Sequence, residues 1–307
     1  MFSLSALLVR AAQRIGIAAD KAAEVYVRRS GETADGILLA VRQATTADAE
    51  GGKFFRSMPD GGARSADATH SDLSLSGTTA KGKPVSFQPE DVKNVPLKDA
   101  DGETIGVMFP SRPGDDTSGK WASAPTRNSD TTVTRAFVDL EETRATNNPS
   151  FSAEKPETAP WAQGLTPKRP VYAEAHGETD VFMVKAKLGS RLLPRWTTVT
   201  VDGETYGKIL ATNEHFTRAA GASPDAPVVL VSCQVGDEAM VARSTADYLH
   251  RTGVTTGDVY APKGLIAASV NNNISDVGVS DMYVTLLRLR GDGTAPGFEV
   301  FPGPGDG

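Results

Sequence analysis

The chain has one cysteine, Cys233, in 307 residues. That scarcity excludes an intramolecular disulfide and any zinc site built on several thiolates. A lone unpaired thiol fits a reducing compartment, so a cytoplasmic location is expected. Histidine is also sparse: His70, His176, His215 and His250 are widely separated and lack metal-ligand spacing. No metal and no cofactor are expected. There is no block of five or more basic residues, and the formal net charge is −6. A nucleic-acid backbone needs clustered Lys and Arg, so no nucleic-acid partner is expected. No apolar run approaches the roughly 20 residues of a membrane span. The opening MFSLSALLVRAAQR has a short apolar stretch, no preceding positive charge, and Arg10 and Arg14 at helical spacing. It reads as an amphipathic helix rather than a secretory signal.

The composition is that of a soluble globular protein with long connections: 39% hydrophobic residues, 30 glycines and 19 prolines. Residues 2–48 carry apolar stripes of helical period (Leu4, Leu7, Leu8, Ala11; Ala22, Val25, Tyr26; Ile37, Leu38, Val41). Residues 50–83 are rich in small and polar types and read as linker. The expected division is a helical extension and linker over 1–83, then an α/β domain over 84–307. PVSFQP opens the domain, and VKNVPL and TIGVMFP form a hairpin about the DADG turn at 99–102. DADG lacks the later ligands of a calcium loop and reads as a plain turn. Two stretches, 111–132 and 145–168, are polar and Pro-rich, and are expected as long loop excursions.

The C-terminal half alternates strands and helices. PVYAEAHG (170–177), WTTVTV (196–201), APVVLVSC (226–233) and DVYAPKG (258–264) read as strands. Residues 203–221 and 238–253 read as amphipathic helices, the latter with Met240, Val241, Ala242 and Leu249 inward. MYVTLLRLR (282–290) and GFEVFPG (297–303) read as closing strands. The fold class is therefore α/β, with an open, mostly parallel sheet and flanking helices.

Ligands of open α/β sheets bind outside the carboxyl ends of the strands. His176 closes one apolar strand and Cys233 closes another, each with a glycine near by (Gly177, Gly236). An ordinary thiol is only a few per cent thiolate at neutral pH, and an imidazole beside it supplies general acid–base help. The backbone N–H groups of Gly177 and Cys233 are natural donors to a developing oxyanion. Glu174 shares the His176 face of its strand. Glu174 and Asp180 are candidates to orient the imidazole, and Glu174 to bind substrate.

A strand ending in His-Gly, followed by a strand ending in Ser-Cys, resembles the cysteine peptidases of clan CD, which include caspases, gingipains, legumain and separase. More narrowly, AHG, VDGETYGKIL and PVVLVSCQVG resemble the "lonely Cys" domain of giant proteins from high-GC Gram-positive bacteria. The resemblance covers about residues 155–300 and reaches loosely to the 92–110 hairpin. It implies a caspase-like fold and a dyad with His176 as base and Cys233 as nucleophile. It also implies hydrolysis of peptide bonds in a protein or peptide substrate, often in the peptidase's own chain.

Bland readings stand beside this one. A cysteine ending a buried strand is commonly a small hydrophobe, and a lone histidine is commonly a hydrogen-bonded core or loop residue. Ser232 is a poor nucleophile candidate, because its side chain points to the face opposite Cys233. His215 and His250 lie in predicted helices and read as structural or solvated. The run Asn271–Asn273 and the Gly-rich tail read as loops. Two other functions remain open: a catalytically silent scaffold or binding module, and an amidase or acyl transferase acting on a small substrate.

Overall fold

The computed structural model describes residues 73–112, 115–139, 150–163, 168–190, 193–271, 279–288 and 297–305. Ser150 apart, these belong to one compact unit, Leu73–Leu140 with Phe151–Gly307. The helical stripes expected at 2–48, and His70, lie outside the described residues.

The chain first forms β1 (Leu75–Thr79), β2 (Pro84–Phe87), β3 (Val95–Lys98) and β4 (Thr104–Phe109). Next come β5 (Thr126–Arg127), β6 (Thr132–Asp139), β7 (Ser150–Ala153) and β8 (Glu157–Thr158). Strands β9 (Val171–Glu178), β10 (Val181–Ser190) and β11 (Leu193–Val201) lead into helices α1 (Gly203–Thr212) and α2 (Glu214–Ala222). Then follow β12 (Val228–Val231), α3 (Met240–Arg251), β13 (Val259–Lys263), β14 (Leu265–Asn271), β15 (Val279–Arg288) and β16 (Gly297–Phe301).

Strands β4, β9, β12 and β13 carry apolar residues at consecutive positions, as strands covered on both faces must. They lie parallel, with β9 between β4 and β12, and β13 beyond β12. The β3–β4 hairpin forms as expected about residues 99–102. Asp99 Oδ1 accepts from the N–H of Asp101 (3.0 Å) and Glu103 (2.7 Å), and Asp99 Oδ2 pairs with Arg169 at 2.7 Å.

The α/β class holds, but the sheet is mixed rather than mostly parallel. Of its ten strands among the described residues, six (β1, β2, β3, β10, β11, β16) pair only antiparallel. The reason is local: short connections join β9 to β10 and β10 to β11, and a tight turn can only reverse direction.

The helices cover one face. Tyr206, Ile209, Phe216, Val241 and Leu249 pack there with Val107, Ala173 and Leu230. On the other face lies a second sheet, ordered β14-β15-β6-β7 with β5 and β8 attached. Its Ile266, Met282 and Val284 join Trp121, Trp161, Tyr172, Val229 and Val231 in a second core.

Several expectations shift. The compact unit starts at Leu73, because β1 pairs with β2 and β11, ahead of the boundary expected at 84. The 111–132 stretch is no solvated excursion: Trp121, Ala122, Ala124 and Ser129 are buried in it, as is Trp161 in the 145–168 stretch. The single helix expected over 203–221 breaks at Asn213, whose side chain caps the N–H groups of His215 and Phe216. In α3, Val241, Ala242 and Leu249 face inward as expected, whereas Met240 is 64% exposed. The strand expected at 282–290 falls on β15 (Val279–Arg288), which belongs to the second sheet and not to the main one. Among the described residues, no helix is long and apolar enough to cross a membrane.

Helix α1 starts where Asp202 accepts from Thr205 N at 2.7 Å. A Cβ on Gly203 would lie 1.9 Å from the carbonyl oxygen of Val241, so only glycine lets α1 and α3 meet. Gly203→Ala is expected to destabilise the protein by about 3 kcal/mol or more, a value typical of forced overpacking at its upper end. At Gly221 a Cβ meets nothing within 4 Å, so Gly221→Ala is expected to be neutral or to stabilise by about 0.5–1 kcal/mol. Denaturant midpoints measure both; equal effects would contradict the packing assigned to Gly203.

Candidate active site

The site grows out of one strand pair. The β9–β12 ladder ends with Val231 opposite Glu174. Beyond Val231 the chain leaves the strand and turns, so Cys233 comes two residues past β12 beside the end of β9. A Cβ on Gly177 would lie 3.0 Å from the Cys233 carbonyl oxygen and 2.6 Å from Val235 Cγ1. The turn after β12 therefore rests directly on the end of β9, which gives Gly177 a packing reason for lacking a side chain.

Both key side chains share a face. Along β9 the side chains alternate, so Tyr172, Glu174 and His176 point to the side of the second core. On β12, Val229 and Val231 belong to that core and Cys233 packs against it. Ser232 is buried on the helix side, its Cβ 3.2 Å from the position of a Gly177 Cβ. The expected separation of Ser232 from Cys233 holds.

His176 Nε2 lies 3.1 Å from Asp115 Oδ2, and the carboxylate side chain is only 4% exposed. Asp115 Oδ2 also accepts from the backbone N–H of Ser111 (3.0 Å) and Arg112 (2.7 Å). Those residues follow β4 and Pro110, on the other side of β9 from β12. Asp115 in the segment after β4, His176 near the end of β9 and Cys233 in the turn after β12 thus come from three adjacent parallel strands or the segments that follow them.

The two residues expected to orient the imidazole are placed otherwise. Glu174 Oε2 accepts from Trp121 Nε1 at 2.9 Å. Asp180 is exposed in the β9–β10 turn, and no hydrogen bond or ion pair joins it to His176 among the described residues. Asp115 was missed because it sits in a polar, Pro/Gly-rich stretch; the signal available was Trp121, a large apolar residue that such a loop must bury.

The thiol is not engaged with the imidazole. Cys233 Sγ donates to the carbonyl of Ile266 on β14 at 3.7 Å, and among the described residues no hydrogen bond joins it to His176. Burial pushes the Cys233 thiol above its ordinary value; the cation of Arg112 opposes this, and the carboxylates of Asp237 and Glu174 add to it. The turn bearing the cysteine is tied to the β13–β14 junction. Gln234, at φ +62°, donates its N–H to Gly264 O (2.7 Å), Gly236 N to Pro262 O (2.9 Å), and Gly264 N to Asp237 Oδ1 (2.8 Å). Arg112 reaches the same mouth, its Nη2 4.0 Å from the sulfur of Met183, the cross-strand partner of His176.

His215 and His250 stand away from this site. His215 lies 3.7 Å from Glu214 in α2, and His250 Nε2 bonds Gly257 O at 2.9 Å. A groove of about 330 Å³ lined by Val133, Arg135, Glu157, Lys263 and Phe298 includes none of the site residues. No group of three or more His, Cys, Asp or Glu that could hold a metal occurs among the described residues. No family model, no curated protein and no solved structure matches the chain.

The charges around the sulfur set its reactivity. Alkylation of Cys233 by iodoacetamide should be slow at pH 7 and should still be rising at about pH 9, above the ordinary thiol pKa of about 8.5. Arg112→Met should slow it at a given pH and Glu174→Gln should speed it. A rate that levels off below pH 7 would show a resting thiolate and contradict this picture.

Proposed function

We propose that the chain is a cysteine hydrolase of caspase-like type, an endopeptidase acting on a protein or peptide, its own chain included, in a reducing compartment. The observation that supports this best is the placing of His176 and Cys233 on one face, at the ends of neighbouring parallel strands. The clan CD motifs point the same way, and the clan CD assignment is itself part of the proposal.

In this reading substrate binding draws Sγ off the Ile266 carbonyl and toward the imidazole. His176 takes the thiol proton as the sulfur attacks the scissile carbonyl. The N–H groups of Gly177 and Cys233 stabilise the oxyanion, each such donor being worth about 3 kcal/mol. The imidazolium returns its proton to the leaving amine as the C–N bond breaks. Water, deprotonated by the same imidazole, then cleaves the thioester and restores the thiol.

A second reading has its own support. The half-buried, Ile266-bonded thiol suits a silent scaffold in which Cys233 is a packing residue. A panel of peptidyl acyloxymethyl ketones differing in the residue beside the reactive group separates the two, read by intact mass. A hydrolase is labelled once, at Cys233, by some member of the panel at pH 7. His176→Ala should slow labelling by about 10²–10⁴-fold, and Cys233→Ala should abolish both labelling and any new termini formed on incubation. A chain that no member labels, or labels equally without His176, is the scaffold.

A further inference from the structure

We propose that Asp115 is the positioning residue of this site: it fixes the tautomer of His176, so that Nδ1 is the nitrogen that accepts the thiol proton. The inference rests on the hydrolase reading for its use, although the tautomer itself does not depend on that reading.

A neutral imidazole has one N–H and one lone pair, and the partner of one nitrogen decides the role of the other. His176 Nε2 lies 3.1 Å from Asp115 Oδ2. A carboxylate only accepts, so Nε2 carries the proton. Nδ1 has no hydrogen-bond partner among the described residues and keeps its lone pair. Asp115 is well made for this task, because it is held by groups other than the histidine. The N–H groups of Ser111 and Arg112 fix its Oδ2, and Thr198 Oγ1 donates to Ser111 O at 2.8 Å, tying that turn to β11. The acceptor is therefore in place before the ring is.

Alternatives on the same face are committed elsewhere. Glu174 serves Trp121 and Asp180 is exposed in a turn. An exposed His–Asp pair contributes little, whereas this carboxylate side chain is 4% exposed. When Nδ1 gains the proton lost by sulfur, the ring becomes a cation with the Asp115 carboxylate against its far nitrogen. Positioning carboxylate, base and nucleophile are then contributed in turn by the segment after β4, by β9 and by the turn after β12.

A turn-capping role alone would also explain Asp115, and the test must distinguish the two. Long-range ¹⁵N–¹H spectra of the ring nitrogens in the full chain, at a pH where His176 is neutral, report the tautomer directly. Wild type should show the Nε2–H form. Asp115→Asn, whose amide offers donors as well as an acceptor, should lose that single form and gain Nδ1–H. Labelling by the best acyloxymethyl ketone should fall about 100-fold or more, in the direction known for a carboxylate-to-amide change in such a triad. Iodoacetamide alkylation at high pH, which needs no base, should hardly change. An Nδ1–H ring in wild type overturns the proposal even if the variant fails to fold. A variant that keeps both the Nε2–H form and the wild-type labelling rate also overturns it. Should wild type resist every ketone while the tautomer behaves as stated, the hydrolase reading fails and the positioning role stands.

Discussion

Parallel pairing of β9 with β12 is the constraint on which the rest of the site depends. It ends at Glu174 and Val231, and His176 and Cys233 each follow two residues later. Because the strands run the same way, their carboxyl ends open at one edge, and the pleat sends His176 and Cys233 to one face. A one-residue slip would send the sulfur to the helix side, where Ser232 now lies. Gly177 resists such a slip, since the Cys233–Val235 turn rests where its side chain would be.

The second sheet gives the site its other character. β13 passes through Gly264, at φ +98°, directly into β14, so one chain leaves the main sheet and crosses above the cysteine. The same crossing supplies the Ile266 carbonyl that holds the sulfur and the Gly264 groups that hold its turn. The imidazole is already partnered by Asp115, while the half-buried thiol bonds the Ile266 carbonyl and burial pushes its pKa up. In the proposed hydrolase, the resting arrangement is thus prepared on the base side and withheld on the nucleophile side. For the proposed chemistry the sulfur must leave the Ile266 carbonyl for the imidazole.

Much of this was legible in the sequence, for physical reasons that differ by element. β9, β12 and β13 announce themselves because strands covered on both faces must be apolar throughout, and the shared face of Glu174 and His176 follows from parity alone. β10 has an equally plain alternation, with Phe182, Val184 and Ala186 buried and Met183, Lys185 and Lys187 between and after them, yet no turn signal as strong as those flanking its neighbours. The mixed pairing of the sheet follows from short connections, whose consequence depends on strands not all recognised. Asp115 lay beyond local reading altogether. Its surroundings in the sequence are Pro, Gly, Asp and Ser, and its partner His176 comes from a distant part of the chain. The helix break at Asn213 is set by its side-chain cap, and the apolar stripe that runs on through 203–221 hides it from a reading by periodicity.

The central claim is that the only sulfhydryl and His176 serve one cleft, with Asp115 behind the ring. A crystal structure of the protein inactivated by its best peptidyl ketone measures this most directly. The account predicts the adduct on Cys233 Sγ, the sulfur released from Ile266, and His176 Nδ1 within about 4 Å of the sulfur or leaving-group position, with Nε2 still on Asp115. A structure in which the imidazole has turned away from the modified sulfur, or has left Asp115 to reach it, would contradict the account.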